Sequence, residues 1–455
     1  MSPSHVQHPA SRVLLISGAL LLAAAWFAGG VTVDVTSTDE MLVLLSLPVF
    51  AMAGWAWLQR PAPSTLPRAA FAAAALLALV PLLQWLLPIA GGGSARGAIA
   101  VDLAAAGVAG GLTHASLTPS ATEHALWSLL PPLAVFLGAA MLDHRQRRRA
   151  AQFAVGLILA NLAFGFFQAG LAQDHALRLF SKNGTGFGGA FINGNHQATA
   201  LIIGMLLALG LAADARRRHQ GEGRNRRTWA WLTAAAVCFL CIPLAGSSAG
   251  MLIGVLMLLV GVGATGVLGR LRRSRVGQVA LAGVALVGVL GLVVASQWLD
   301  LAQTDPLRHA AARESWALGS RFLPLGSGMG SFVQTFAQAA GPLFQRGEYV
   351  NHAHNEYAQW WLEGGLLALA AALAVLAMLS WIGMTLLRER HHRPLGVVAW
   401  LALCALLLHS LVDFPLRTLS LMTMAGLLAG IAVAEAARVH QGPTSRPREG
   451  ASQQA

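Results

Sequence analysis

Apolar stretches of membrane-spanning length recur along the chain from near Arg12 almost to Val439, separated by short segments rich in arginine, glycine or proline. The runs that read as helices cover 13–29, 41–58, 69–90, 125–142, 152–172, 193–213, 228–245, 250–268, 277–297, 358–385, 396–411 and 418–436, twelve in all. Backbone groups in lipid find no water to bond, so continuous apolar runs of this length are expected to be helical. The pattern predicts an all-α polytopic membrane protein with about twelve transmembrane helices, a single integral unit over residues 1–440 and a disordered cytoplasmic tail over 441–455. Gly97–Ala115 is weakly apolar and carries Asp102, so 91–124 is expected to be a re-entrant or interfacial segment. Arg12 precedes the first run, which lacks an Ala-x-Ala cleavage site, so a retained anchor is expected.

Composition agrees. Of the 455 residues 56% are hydrophobic and only 11% charged, and the mean hydropathy of +0.60 leaves too little polar surface for a soluble catalytic domain. The net charge of +12 must be sorted by side of the membrane. With 91–124 kept out of the count of spans, one side holds 23 basic and 6 acidic residues and the other 8 basic and 13 acidic. This asymmetry predicts cytoplasmic termini, cytoplasmic loops at 143–151, 214–227 and 269–276, and a large periplasmic loop at 298–357. Basic residues spread over such loops form no groove for nucleic acid, and none is expected as a partner. Cys238, Cys241 and Cys404 lie inside apolar runs, where helix packing is expected rather than a disulfide or a metal.

The candidate chemistry lies on the sparsely basic side. Paired interrupted spans and midplane charges, the marks of a transporter, are nearly missing from the apolar runs. Asn161 and Gln168 are the polar exceptions and suit helix–helix hydrogen bonds. The stretch Ser181–His196 has five glycines and places Asn193, Asn195 and His196 at a span boundary, with Lys182 able to add charge; it reads as an anion-binding loop or as a connector. In the large loop, Arg313 and Trp316 share a helical face, and glycines 326, 328 and 330 force a turn able to fold against a diphosphate or a sugar. The segment Asn351–Gly365 follows, with His352, His354, Asn355, Glu356, Trp360, Trp361 and Glu363. A boundary histidine can move a proton near neutral pH. Two histidines spaced i,i+2 with no further ligand argue against a metal site. Glu356 and Glu363 suit support of the outer face or contacts to an acceptor. The last outer turn, His409–Arg417, offers either a local Asp413–Arg417 ion pair or a phosphate contact from Arg417.

Taken in order, Phe191–His196, Arg313-x-x-Trp316, Pro324–Phe332, Ala353–Tyr357 with Glu363-Gly, and His409–Leu416 resemble the O-antigen ligase and polymerase superfamily of bacterial inner-membrane enzymes, most closely over 125–436. The resemblance implies a lipid-dependent glycosyltransferase type of fold and a site facing the periplasm. It implies transfer of a glycan from undecaprenyl diphosphate to lipid A core, to another lipid-linked glycan, or to protein. It puts the functional histidine at His354, with Asn355 beside it and Gly365 following, and the functional arginine of the large loop at Arg313. The sequence departs from the family pattern at Gly186, where relatives often carry arginine, with Lys182 or Arg178 as possible substitutes, and at Gly246–Gly250 and Ala368.

These residues suit the chemistry. A lipid diphosphate is an activated leaving group, so the protein has to position the acceptor hydroxyl and stabilise charge on the departing phosphate. His354 and Arg313 are the expected catalytic residues; Lys182, Asn193, Asn195, His196, Asn355, Glu356 and Arg417 are the expected substrate contacts. No acidic cluster calls for a cation, so the expectation is a metal-independent transferase with no cofactor, whose partners are the lipid-linked glycan donor, the acceptor and membrane lipids. Ligase and polymerase stand nearly even. A transporter or flippase of lipid-linked glycans is the alternative from another class.

Overall fold

The computed structural model describes residues 9–30, 37–59, 65–88, 94–107, 113–172, 174–175, 177–178, 187–218, 226–267, 306–341, 344, 350–389 and 393–439. Most of these residues are helical, with no strand among them. In chain order the helices are α1 (Pro9–Ala28), α2 (Ser37–Leu58), α3 (Thr65–Leu86), α4 (Ser94–Ala105), α5 (Pro119–Trp127), α6 (Leu130–Met141), α7 (His144–Ala169), α8 (Gly194–Arg218), α9 (Arg226–Leu240), α10 (Ser248–Thr265), α11 (Pro306–Arg321), α12 (Phe332–Ala339), α13 (Glu356–Arg388), α14 (Pro394–His409) and α15 (Leu419–Val439). Ten helical segments among the described residues are long and apolar enough to cross a membrane; α14 is apolar but shorter. The expected span at 277–297, the loop at 269–276, the start of 298–357 and the tail at 441–455 lie outside the described residues.

The expected run at 125–142 is two helices, α5 and α6, joined at Ser128–Leu129. In the 91–124 segment α4 has twelve residues. At 1.5 Å per residue it reaches about 18 Å, short of a bilayer core.

α8 is apolar on every face and is the centre of the bundle, packed by α7, α9, α10 and α14, with every residue from His196 to Asp214 buried. α15 packs on α6, and α13 packs on α3 and α11. The tight hairpin between α9 and α10 explains Gly246–Gly250. Gly246 takes the left-handed conformation, and the Ser247 hydroxyl caps α10 by accepting the Gly250 N–H at 2.9 Å.

The arginine-rich helix ends gather at one end of the bundle. There the fully buried Glu435 of α15 accepts from Arg147 Nε at 2.9 Å, His144 at 2.8 Å and Arg393 at 3.3 Å, joining three helices. The motif-bearing segments gather at the opposite end.

Candidate active site

The site is built where α13 begins and α14 ends. Asn355 caps α13 through its side-chain oxygen, which accepts the Ala358 N–H at 2.9 Å, and its amide donates to Leu411 O at 2.8 Å. The Glu356 N–H donates to Ser410 O at 2.9 Å, and the Tyr357 hydroxyl to Leu407 O at 2.9 Å. These bonds press the segment before α13 onto the turn after α14, which brings His354 to Asp413.

His354 has φ of +49°, the only positive φ at a non-glycine among the described residues. That conformation is strained for an L-residue and persists where surrounding contacts over-determine it. Its Nδ1 stands 3.5 Å from Asp413 Oδ1, with the histidine ring partly exposed and the carboxylate fully buried. The other carboxylate oxygen accepts from Asn193 Nδ2 at 2.9 Å. Burial alone would raise the Asp413 carboxyl, but the contact with His354 and the nearby His196 and His409 outweigh it and hold the group below the ordinary carboxylate range. Phe414 packs against the rings of His196, His352 and His354. His409 Nδ1 meets the Thr199 hydroxyl at 2.6 Å.

Beside this cluster lies a second carboxylate, Glu363. It is fully buried and accepts from Arg417 at 2.8 Å and from Gln359 at 3.1 Å. Arg417 therefore pairs with Glu363, not with its sequence neighbour Asp413 as the local ion-pair reading expects. The turn at Pro415–Arg417 carries the guanidinium away from the Asp413 carboxylate. One Arg417 nitrogen, Nη2, is buried with no hydrogen-bond partner in the protein.

α13 breaks just beyond Glu363, where Gly365 has φ of +54° and ψ of −139°. The break frees two carbonyls and an N–H that the glycine-rich loop satisfies: Leu362 O accepts the Ser327 N–H at 2.9 Å, Glu363 O accepts the Gly328 N–H at 2.8 Å, and the Leu366 N–H donates to Pro324 O at 2.9 Å. A Cβ on Gly326 would lie 2.3 Å from Glu363 O, and one on Gly365 2.4 Å from Pro324 O. Gly326 thus packs against the break in α13, while Gly328 approaches Ser116 and Gly330 approaches Ala121 of α5. Gln84 of α3 bonds to both partners, through Leu325 O at 2.7 Å, Glu363 O at 2.9 Å and the Met329 N–H at 3.0 Å.

The other expected residues divide clearly. Asn193 and His196 belong to the cluster. Asn195 donates its N–H to Asn193 and accepts from Thr199 through its carbonyl, so its backbone holds the first turn of α8. Asn355 and the buried Glu356, which accepts the Leu416 N–H, are occupied by protein contacts. His352 bonds Gln359, and burial with the neighbouring Arg417 charge pushes it down to about 3, so it stays neutral at physiological pH. Arg313 is exposed on α11, and no ion pair or hydrogen bond joins it to the His354 cluster among the described residues. Lys182 and Gly186 lie outside the described residues. Close by, Asn161 accepts the Ala190 N–H at 2.8 Å and donates to Gln197 at 2.7 Å, fixing the turn before α8 as expected of a helix–helix bond. Glu363, expected as outer-face support or an acceptor contact, and Asp413, expected only as an ion-pair partner, complete the site together with Gln359 and Gln84, to which the sequence reading gives no role. The strongest signal for them was a buried carboxylate or amide inside an otherwise apolar run.

No curated protein matches the chain. The family model described as O-antigen ligase matches residues 233–373, which hold the glycine-rich loop, His354 and the break in α13. Over that stretch, about a third of its length, the chain is similar to the O-antigen ligase and polymerase superfamily.

Proposed function

We propose that this membrane-embedded protein transfers a glycan from undecaprenyl diphosphate to an acceptor hydroxyl, with its site at the periplasmic face of the bacterial inner membrane. The observation that carries the reading is His354, held in a strained backbone conformation with Nδ1 facing buried Asp413. A carboxylate at Nδ1 favours the tautomer with the proton on that nitrogen and leaves the Nε2 lone pair free. Nε2 takes the proton of the acceptor hydroxyl as its oxygen attacks the anomeric carbon. The bond from that carbon to the diphosphate breaks, and its electron pair leaves with the lipid diphosphate. Asp413 stabilises the imidazolium that forms.

Arg417, fixed by Glu363 with Nη2 unpartnered, is the cation we assign to the departing diphosphate. Arg313 and Lys182 are further donor contacts in this reading. Nothing in the chemistry requires a metal. The acceptor is lipid A core, a second lipid-linked glycan or a protein.

The test supplies purified, reconstituted protein with labelled undecaprenyl-diphosphate glycan and, separately, lipid A core or a second lipid-linked repeat. A new glycosidic bond to either acceptor supports the proposal and separates ligase from polymerase. Movement of the lipid-linked glycan across the bilayer with no new bond would replace it by the flippase reading.

A further inference from the structure

We infer that Gln84 is a positioning residue for glycan transfer, fixing the break in α13 from which Glu363 holds Arg417. This rests on the reading of Arg417 as a donor-diphosphate contact.

Gln84 sits near the end of α3 and is fully buried. A primary amide offers two donors and an acceptor, and all three functions are used. Nε2 donates to Leu325 O and to Glu363 O, at 2.7 and 2.9 Å, and Oε1 accepts the Met329 N–H at 3.0 Å. An unsatisfied amide in apolar surroundings is costly, so the side chain is committed to this arrangement. Its partners lie 241 to 279 positions away in sequence.

The placement of Glu363 depends on those bonds because helical geometry ends just after it. Gly364 and Gly365 follow, and the main chain at Gly365 is not helical. The Glu363 carbonyl is instead held by Gln84 at 2.9 Å and by the Gly328 N–H at 2.8 Å. The carboxylate of the same residue binds Arg417 at 2.8 Å. Gln84 touches neither Arg417 nor His354, and its influence on the reaction runs through the backbone of Glu363.

The experiment compares wild type, Gln84→Met, Arg417→Ala and the double variant as full-length protein in liposomes, using labelled undecaprenyl-diphosphate glycan as donor. Methionine keeps the length of the side chain and removes all three bonds. The expected result is a rise in donor KM of about tenfold for Gln84→Met, with acceptor KM unchanged, and less than about twofold further change when it is added to Arg417→Ala, since residues acting through one network are not additive. Gln84→Glu keeps the acceptor for Met329 and leaves at most one O–H to serve the two carbonyls; it should show the same donor-specific defect, and it replaces the methionine variant if that one does not insert. Equal losses in donor and acceptor KM that track a fallen melting temperature would overturn the inference, as would a full effect in the Arg417→Ala background. If Arg417→Ala alone keeps the wild-type donor KM, the diphosphate reading falls and takes the inference with it. If Arg417→Ala raises donor KM and Gln84→Met does not, only the inference falls.

Discussion

His354 and Asp413 face each other at 3.5 Å across the junction of α13 and α14, the histidine partly open to solvent and the aspartate closed from it. The pair divides the labour of general-base catalysis between a group that meets substrate and a group that sets its tautomer.

Asp413→Asn should therefore be as damaging as changes at the histidine itself. An asparagine amide turned toward Nδ1 would donate to it and place the ring proton on Nε2, where the base is needed. Single-turnover transfer should fall about 10²- to 10⁴-fold for both Asp413→Asn and His354→Ala, with donor binding retained. Normal chemical-step rates in His354→Ala would exclude the histidine as the base.

His352 serves as the control and has its own pH signature. Its pKa is lowered from 6.5 to about 3 in the folded protein, so the unfolded chain binds the proton more readily. Its contribution to stability is fully present above about pH 6.5 and is lost as pH falls toward 3. His352→Gln should flatten the fall in melting temperature over that window and change transfer far less than His354→Ala. A melting profile that superimposes on wild type from pH 6.5 to 4 would count against this.

The Arg417–Glu363 pair should show the cost of breaking a buried ion pair from one side. Arg417→Ala leaves the buried carboxylate without its cation and should destabilise the protein by about 3 kcal/mol. Adding Glu363→Gln should recover most of the stability but not the donor affinity. Recovery of both would mean that Arg417 only neutralises Glu363.

Sidedness can be read with single cysteines after Cys238, Cys241 and Cys404 are replaced. Ser331 is unsuitable as a reporter despite its place in the outer loop, because it is fully buried and bonded to Ser327 at 2.7 Å. Gln338 on α12 and Arg149 on α7 are exposed. A membrane-impermeant thiol reagent should label Gln338→Cys in intact spheroplasts and label Arg149→Cys only after lysis. The reverse pattern would invert the topology and remove the periplasmic site.

The spans were legible because apolar length is a one-dimensional property, and the two ends of the bundle because arginine clusters mark them. The break in α13 was not, although its glycines were conspicuous. A glycine reports that something approaches closely; it does not report whether a ligand or the chain's own backbone does so. Asp413 and Arg417 looked like a local pair since they are four positions apart, yet a short 3₁₀ turn redirects the arginine to Glu363. Gln84 gave the faintest signal, one amide in an apolar run whose partners lie more than 200 positions away. His354 was recognised through its motif, while its strained backbone became visible only in the fold.

Asn193 precedes α8, and His196 and Thr199 ride on its first turns, a helix buried along nearly its whole length. Bilayers differ in thickness, and spans that touch lipid answer by tilting or by thinning the membrane around them. α8 is shielded by α7, α9, α10 and α14, so the residues it carries should respond less to membrane thickness than His354 at the head of the less buried α13.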